Sequence, residues 1–188
     1  MSFPDDASLL TAIRDSAYLE GDFVLRSGRR SRYYLDKYRF ETEPDLLEAI
    51  GARLAAKVAE VEPDAVRLAG PELGAVPLAA AASLASRLPF LIVRGQQKEY
   101  GTANRLEGAY REGELVVLIE DVVTSGGAAA DAVRAVRQAG LQCRTAVCAV
   151  DREEGGVDAL AGLGVRLHPL FRAAEVVEGH PIAMKPHG

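Results

Sequence analysis

The feature that most constrains this chain is the alternation that begins near residue 65. Apolar strand-like runs stand at Ala65–Ala69, Phe90–Arg94, Val116–Val123, Cys143–Val150 and Val165–Leu170. Helical patterns at about Ala75–Ser86, Gly126–Ala139 and Val157–Leu163 fall between most of them. Short runs this apolar suit strands buried on both faces, and the strand–helix rhythm implies a mainly parallel, twisted sheet flanked by helices. Upstream, Asp6–Ala17 reads as a helix with Leu9, Leu10, Ile13 and Ala17 on one face. Phe23–Asp36 reads as two strand-like runs turned at Ser27-Gly28. Thr42-Glu43-Pro44 opens a long helix whose apolar stripe is Leu46, Leu47, Ile50, Leu54 and Val58. With 188 residues, 48% of them hydrophobic, the chain suits one α/β domain.

One strand ends in a way that packing does not explain. In "VVLIEDVVTSGGAAA", residues 116–130, the adjacent acids Glu120 and Asp121 interrupt an apolar run. The nearly bare loop Thr124-Ser125-Gly126-Gly127 follows, then a helix. In such sheets ligands bind at the C-terminal strand ends. A small-residue loop opening a helix offers free N–H groups and a favourable dipole to an anion such as phosphate. The acids repel phosphate but accept hydrogen bonds from neighbouring hydroxyls. Diol and phosphate together describe a ribose 5-phosphate. A Walker loop is excluded because no Gly-Lys-Ser/Thr follows, and the Gly-x-Gly-x-x-Gly dinucleotide fingerprint is absent.

This stretch resembles the phosphoribosyl-pyrophosphate (PRPP) signature of the type I phosphoribosyltransferases. Four further segments resemble the orotate phosphoribosyltransferases within that family: "LRSGRRSRYYLD" at 25–36, "GPELGAVPLA" at 70–79, "VRGQQKEYGTANRLEG" at 93–108 and "VDREEGG" at 150–156. The resemblance implies a type I phosphoribosyltransferase-like fold over 1–188, with a small N-terminal hood at about 1–40 and a long flexible lid at about 95–111. It implies transfer of 5-phosphoribosyl from PRPP to orotate, with magnesium carried by PRPP. By the same resemblance Glu120 and Asp121 hold the ribose hydroxyls. Val122, Val123, Thr124, Ser125, Gly126, Gly127 and Ala128 surround the 5-phosphate, and Arg94 and Lys98 meet the pyrophosphate. Lys98, Asp121 and Glu120 are the implied catalytic residues. Arg26, Tyr33, Tyr34, Thr124 and Arg152 are implied at the orotate pocket, where the Arg152 guanidinium matches a carboxylate fork.

Three positions depart from the family pattern. Gly74 and Gly95 stand where many members carry lysine, and Tyr100 stands where others have histidine. A tyrosine does not titrate near neutrality and is a poor general acid. The resemblance further implies a homodimer in which the lid reaches the partner's pocket. Transfer to another nucleobase, and PRPP sensing without turnover, are the alternative readings.

The remaining features set boundaries. A formal net charge of −5 argues against a nucleic-acid surface. No apolar run approaches the roughly 20 residues of a membrane span, and "MSFPDDASLL" lacks the basic start of a secretory signal. Cys143 and Cys148 lie an odd number of positions apart on one strand, so they face opposite sides and stay free. A cytoplasmic location is expected. His168, His180 and His187 lack metal-ligand spacing, and no dedicated protein metal site is expected.

Overall fold

The computed structural model describes residues 3–24, 30–95 and 105–177. The chain opens with helix α1 (Asp6–Ala17), started by a capping box in which the Asp5 carboxylate accepts from the Ser8 amide at 2.8 Å. Strands β1 (Tyr18–Val24) and β2 (Arg30–Leu35) pair antiparallel. The pair is longer than the expected hairpin because Tyr18 and Leu19 already pair with Leu35 and Tyr34. The expected turn at Ser27-Gly28 lies outside the described residues. A one-turn helix, α2 (Lys37–Glu41), then buries Phe40 and Glu41. It is too short to leave a helical period in the sequence, and the hairpin and the next helix were expected to adjoin without it. Helix α3 (Pro44–Val61) follows with proline in its first turn.

From β3 (Arg67–Pro71) the expected alternation appears: α4 (Ala75–Ser86), β4 (Phe90–Val93), β5 (Leu106–Glu107), β6 (Leu115–Val123), α5 (Gly127–Gln138), β7 (Gln142–Asp151), α6 (Gly156–Ala161), β8 (Arg166–Arg172) and α7 (Ala173–Val177). The main sheet runs β5-β4-β3-β6-β7-β8, parallel except for β5 against β4. Chain order runs outward from β3 to β4 on one side and from β6 to β7 and β8 on the other. The topological switch point therefore lies between the C-terminal ends of β3 and β6.

Strand β5 falls within the expected lid. Leu106 is buried and pairs with Val93, and Glu107 pairs with Ile92, so these two residues of the 95–111 stretch are tied to the sheet. Burial of one leucine and a two-residue ladder anchor it, a signal too brief to read from composition. Residues 96–104, including Lys98, lie outside the described residues.

Side chains of β6 alternate between two cores. Val117 and Ile119 join the cluster built with α1, α3 and α4, while Val116 and Leu118 join the cluster built with α5. Both cysteines are free and buried. Among the described residues no helix is long and apolar enough to cross a membrane.

Below the sheet, Glu62 closes α3 onto β7. Its carboxylate takes 2.7 and 2.9 Å hydrogen bonds from Arg144 and one of 2.8 Å from the Thr145 hydroxyl. The Arg144 hydrogen bonds hold its pKa below the usual 4.5 against the opposing effect of burial. A depressed carboxylate stabilises the fold above its unfolded value and loses that contribution as pH falls through the folded one. Glu62→Ala is expected to cost about 1.5–3 kcal/mol at pH 7, a drop of roughly 3–12 °C in melting temperature. The gap from wild type should close below about pH 4. Thermal denaturation across pH checks both, and a gap that persists unchanged at pH 3 would contradict the linkage.

Candidate active site

The site is assembled where β3 and β6 end. The loop after β6 enters α5 through Gly126, which adopts φ 78°, a left-handed conformation natural to glycine. No side chain caps this helix and its first turn holds no acid, so its leading N–H groups stay available to an anion. Glu120, Val122 to Ala128 and Ala129 line a cavity of about 360 Å³ in front of them. Gly156 packs against Val123 and the Thr124 carbonyl, and a side chain there would push the loop outward.

Gly127 differs. Apart from its chain neighbours and its own helix backbone, a Cβ built on it would meet nothing among the described residues nearer than Ser125 Oγ at 4.0 Å. Its missing side chain leaves cavity volume rather than room for packing. Gly127→Ala is therefore expected to melt within about 2 °C of wild type while weakening the binding of a phosphate-bearing ligand at this loop roughly tenfold, by crowding its anion. Unchanged ligand affinity would mean that no ligand comes near this atom.

The two acids leave β6 on opposite sides, as the period of a strand requires. Glu120 lies on the α5 side and lines the cavity. It is 6% exposed, and its Oε1 has no hydrogen-bond partner among the described residues. Burial, then the neighbouring Asp121 charge, push its pKa up to about 8. An acceptor of this kind fits a hydroxyl donor. Asp121 turns to the other side, where Lys37 Nζ of α2 reaches its Oδ2 at 2.5 Å and the Val122 amide reaches its Oδ1 at 2.5 Å. Burial opposes the Lys37 charge, but the charge and hydrogen bond of Asp121 outweigh it and raise the Lys37 pKa. Beside them, the Glu41 carboxyl is buried, and neither oxygen has a hydrogen-bond partner by distance and angle among the described residues. Burial and then the Asp121 charge push it up to about 8, which favours a protonated Glu41 facing Asp121.

Arg152 follows β7. Its amide donates to the Val123 carbonyl at 2.8 Å, which fixes this segment to the end of β6. Its side chain is 8% exposed, with Nη2 on Glu154 at 3.1 Å and the guanidinium carbon 5.3 Å from the Tyr33 ring centroid. Tyr33 stacks in turn on Tyr18, with centroids 5.6 Å apart. Nε of Arg152 is buried and has no partner among the described residues. Tyr34, on the opposite face of the hairpin, packs on Phe23 instead and is half exposed. The structure thus brings together Tyr33 and Arg152, but not Tyr34.

Arg94 stands at the stem of the lid. Its amide pairs with the Arg105 carbonyl, and Arg105 donates back to the Arg94 carbonyl and to Asp131 of α5 at 2.6 Å. Arg94 Nη1 contacts Glu107 at 3.4 Å, and its Nε is buried without a partner among the described residues. Glu72 accepts from the Gly95 amide at 2.8 Å. Sequence reasoning missed Lys37, Glu41, Arg105 and Asp131. Arg105 lies within the recognised segment 93–108 but was given no role there, and for the others only charge at positions near the recognised motifs pointed to them. Arg26 and Lys98 lie outside the described residues.

An uncapped helix N-terminus behind a buried acceptor, at the switch point of a parallel sheet, is the arrangement of a phosphoribosyl-group site. The family model for the phosphoribosyl transferase domain matches residues 42–162. An orotate phosphoribosyltransferase of Halobacterium salinarum is 46% identical over 95% of this chain and 99% of its own length. The crystal structure of orotate phosphoribosyltransferase from Aeropyrum pernix superposes with a TM-score of 0.81 at 32% identity, covering 90% of this chain and 96% of that one. The Mycobacterium tuberculosis enzyme in complex with PRPP gives 0.77 at 29% identity, over 92% and 99%. The chain belongs to the orotate phosphoribosyltransferases of the type I phosphoribosyltransferase family.

Proposed function

We propose that this protein is an orotate phosphoribosyltransferase that converts orotate and PRPP to orotidine 5'-phosphate and pyrophosphate in pyrimidine nucleotide synthesis. The observation that carries the reading is the junction of two subsites. The phosphate cavity and the Arg152–Tyr33 pair are joined by the 2.8 Å hydrogen bond between Arg152 N–H and the Val123 carbonyl. Thr124 to Ala128 and the start of α5 receive the 5-phosphate, and Glu120 and Asp121 receive the ribose hydroxyls. The Arg152 fork takes the orotate carboxylate over the Tyr33 face. N1 of orotate bonds to C1 as the C1–O bond breaks, the N1 proton is released, and pyrophosphate leaves with the bonding electrons. Little acid–base help is needed, so positioning and stabilisation of the cationic ribose centre and the departing anion dominate. Magnesium enters as part of the PRPP substrate and offsets pyrophosphate charge.

The whole chain serves as one phosphoribosyltransferase domain under a hood of α1, β1 and β2. A cytoplasmic setting fits the two buried free thiols. A base panel of orotate, uracil, adenine, hypoxanthine and xanthine, assayed with PRPP and magnesium, tests the reading. Turnover of orotate alone is expected. Turnover of a purine, or of nothing, would overturn it.

A homodimer with lids exchanged completes the proposal. Support comes from an apolar groove on α3 and α4, lined by Pro44, Leu47, Ala81 and Leu84, where Leu84 is 72% exposed. If Lys98 acts in the partner's pocket, mixed dimers of Lys98→Ala and Asp121→Asn hold one doubly altered site and one intact site. Random exchange should then restore roughly a quarter of the wild-type activity. Confirmed exchange with no recovery would place Lys98 in its own chain's pocket.

A further inference from the structure

Resting on the phosphoribosyl transfer proposed above, we infer that Lys37 is a positioning residue for that reaction. It reaches from α2 through space left open by Gly74 and fixes the Asp121 carboxylate at the diol-binding strand end.

Three observations meet at one point. Lys37 Nζ sits 2.5 Å from Asp121 Oδ2, and the Val122 amide holds Oδ1, so both carboxylate oxygens are set in place. Asp121 is only 3% exposed, and the pair brings its partner in from another part of the chain. The third observation concerns Gly74, between β3 and α4. A Cβ built on it would overlap Asp121 Oδ2 and lie 2.7 Å from Lys37 Nζ. A side chain at 74 would force Asp121 Oδ2 and Lys37 Nζ out of this arrangement or into a shifted one. The cation that serves this corner of the site therefore comes from the hood side, and the loop after β3 is stripped to admit it.

The charges around the pair show why the cation matters. Lys37 faces Asp121 from β6 and Glu41 from its own helix, and its ammonium lies 5.3 Å from the Tyr38 ring centroid. Glu120 lies beyond Asp121 on the same strand, and Asp36 adds to the negative field at Glu41. Buried carboxylates crowded together do not all ionise, and one ammonium selects which one stays charged. Burial and then the Asp121 charge push Glu41 and Glu120 up to about 8, and the Lys37 ammonium is in direct contact with Asp121 alone of the three. Lys37 thus presents an oriented Asp121 to the ribose. Without it this carboxylate cluster loses its opposite charge, and Asp121 keeps only the Val122 amide to orient it.

Lys37→Met, Lys37→Arg and Gly74→Ala test this, each assayed with PRPP, magnesium and whichever base the wild type consumes. That choice separates a wrong base from a wrong role for Lys37, and a wild type that consumes no base overturns both. Lys37→Met is expected to lower kcat/KM on the order of 10²-fold. It should also move the acid limb of the pH–rate profile upward by about one unit or more. Lys37→Arg should keep the limb in place and restore most of the rate. Gly74→Ala should reproduce the limb shift with Lys37 still present. Melting curves identify variants that lose structure instead. The proposal is overturned if Lys37→Met keeps the wild-type rate. It is equally overturned if the rate falls with an unmoved limb, or if Gly74→Ala leaves the profile untouched.

Discussion

Asp121→Asn should lose on the order of 10²-fold or more in turnover, the largest effect expected of any single substitution in this site. Both oxygens of the native carboxylate accept hydrogen bonds, one from Lys37 and one from the Val122 amide. An amide has one acceptor oxygen, so either orientation sets its NH2 group against a donor. The change also removes the charge nearest the ribose end of β6 and leaves the Lys37 ammonium half-buried without its counter-ion. Part of the effect appears as stability, about 1–3 kcal/mol for a buried polar mismatch, or roughly 2–12 °C in melting temperature. The folded fraction at the assay temperature is therefore measured beside the rate. A folded variant with turnover within threefold of wild type would remove Asp121 from the reaction.

Arg152→Ala is the second large effect, and it separates the two substrates. The guanidinium is buried, packs on the Tyr33 face and keeps an unpartnered Nε among the described residues. A charge-assisted pair with the orotate carboxylate is worth about 1.5–3 kcal/mol, which corresponds to a rise of roughly 10- to 150-fold in the orotate Michaelis constant. The PRPP constant should stay within about twofold, because the phosphate loop is held by α5 and α6 rather than by this side chain. Steady-state kinetics with each substrate varied in turn decides the matter. Equal shifts in both constants would make Arg152 a support for the loop, acting through its contact with Glu154.

Much of the molecule was legible beforehand because its information is local. α1 and α4 fall on the expected residues, and β6 and β7 differ by a residue or so, since apolar period and turn chemistry are properties of neighbours in sequence. The anion loop was readable for the same reason: Thr124 to Gly127 and the opening of α5 form one continuous segment. The failures were equally physical. α2 makes a single turn, and β5 is two residues long, so neither carries enough of a period to register. The expected lid reached 111 because glycine and charge dominate its composition, yet the burial of Leu106 against β4 outweighs that bias.

By itself the sequence determined the order of the longer strands and helices, the placement of two acids at a strand end, the phosphate loop beyond them and the arginine that resembles an orotate-binding residue. What only the tertiary structure decided is how those pieces face one another. The strand period sends Glu120 to the cavity and Asp121 to the hood side. Whether Asp121 then meets solvent or a cation depends on Lys37, 84 positions earlier in the chain. The same holds for Arg152 under Tyr33 and for Arg105 against Asp131. Such pairs follow from sheet order and from the docking of the hood, and these arise from burial summed over the whole core rather than from any local pattern.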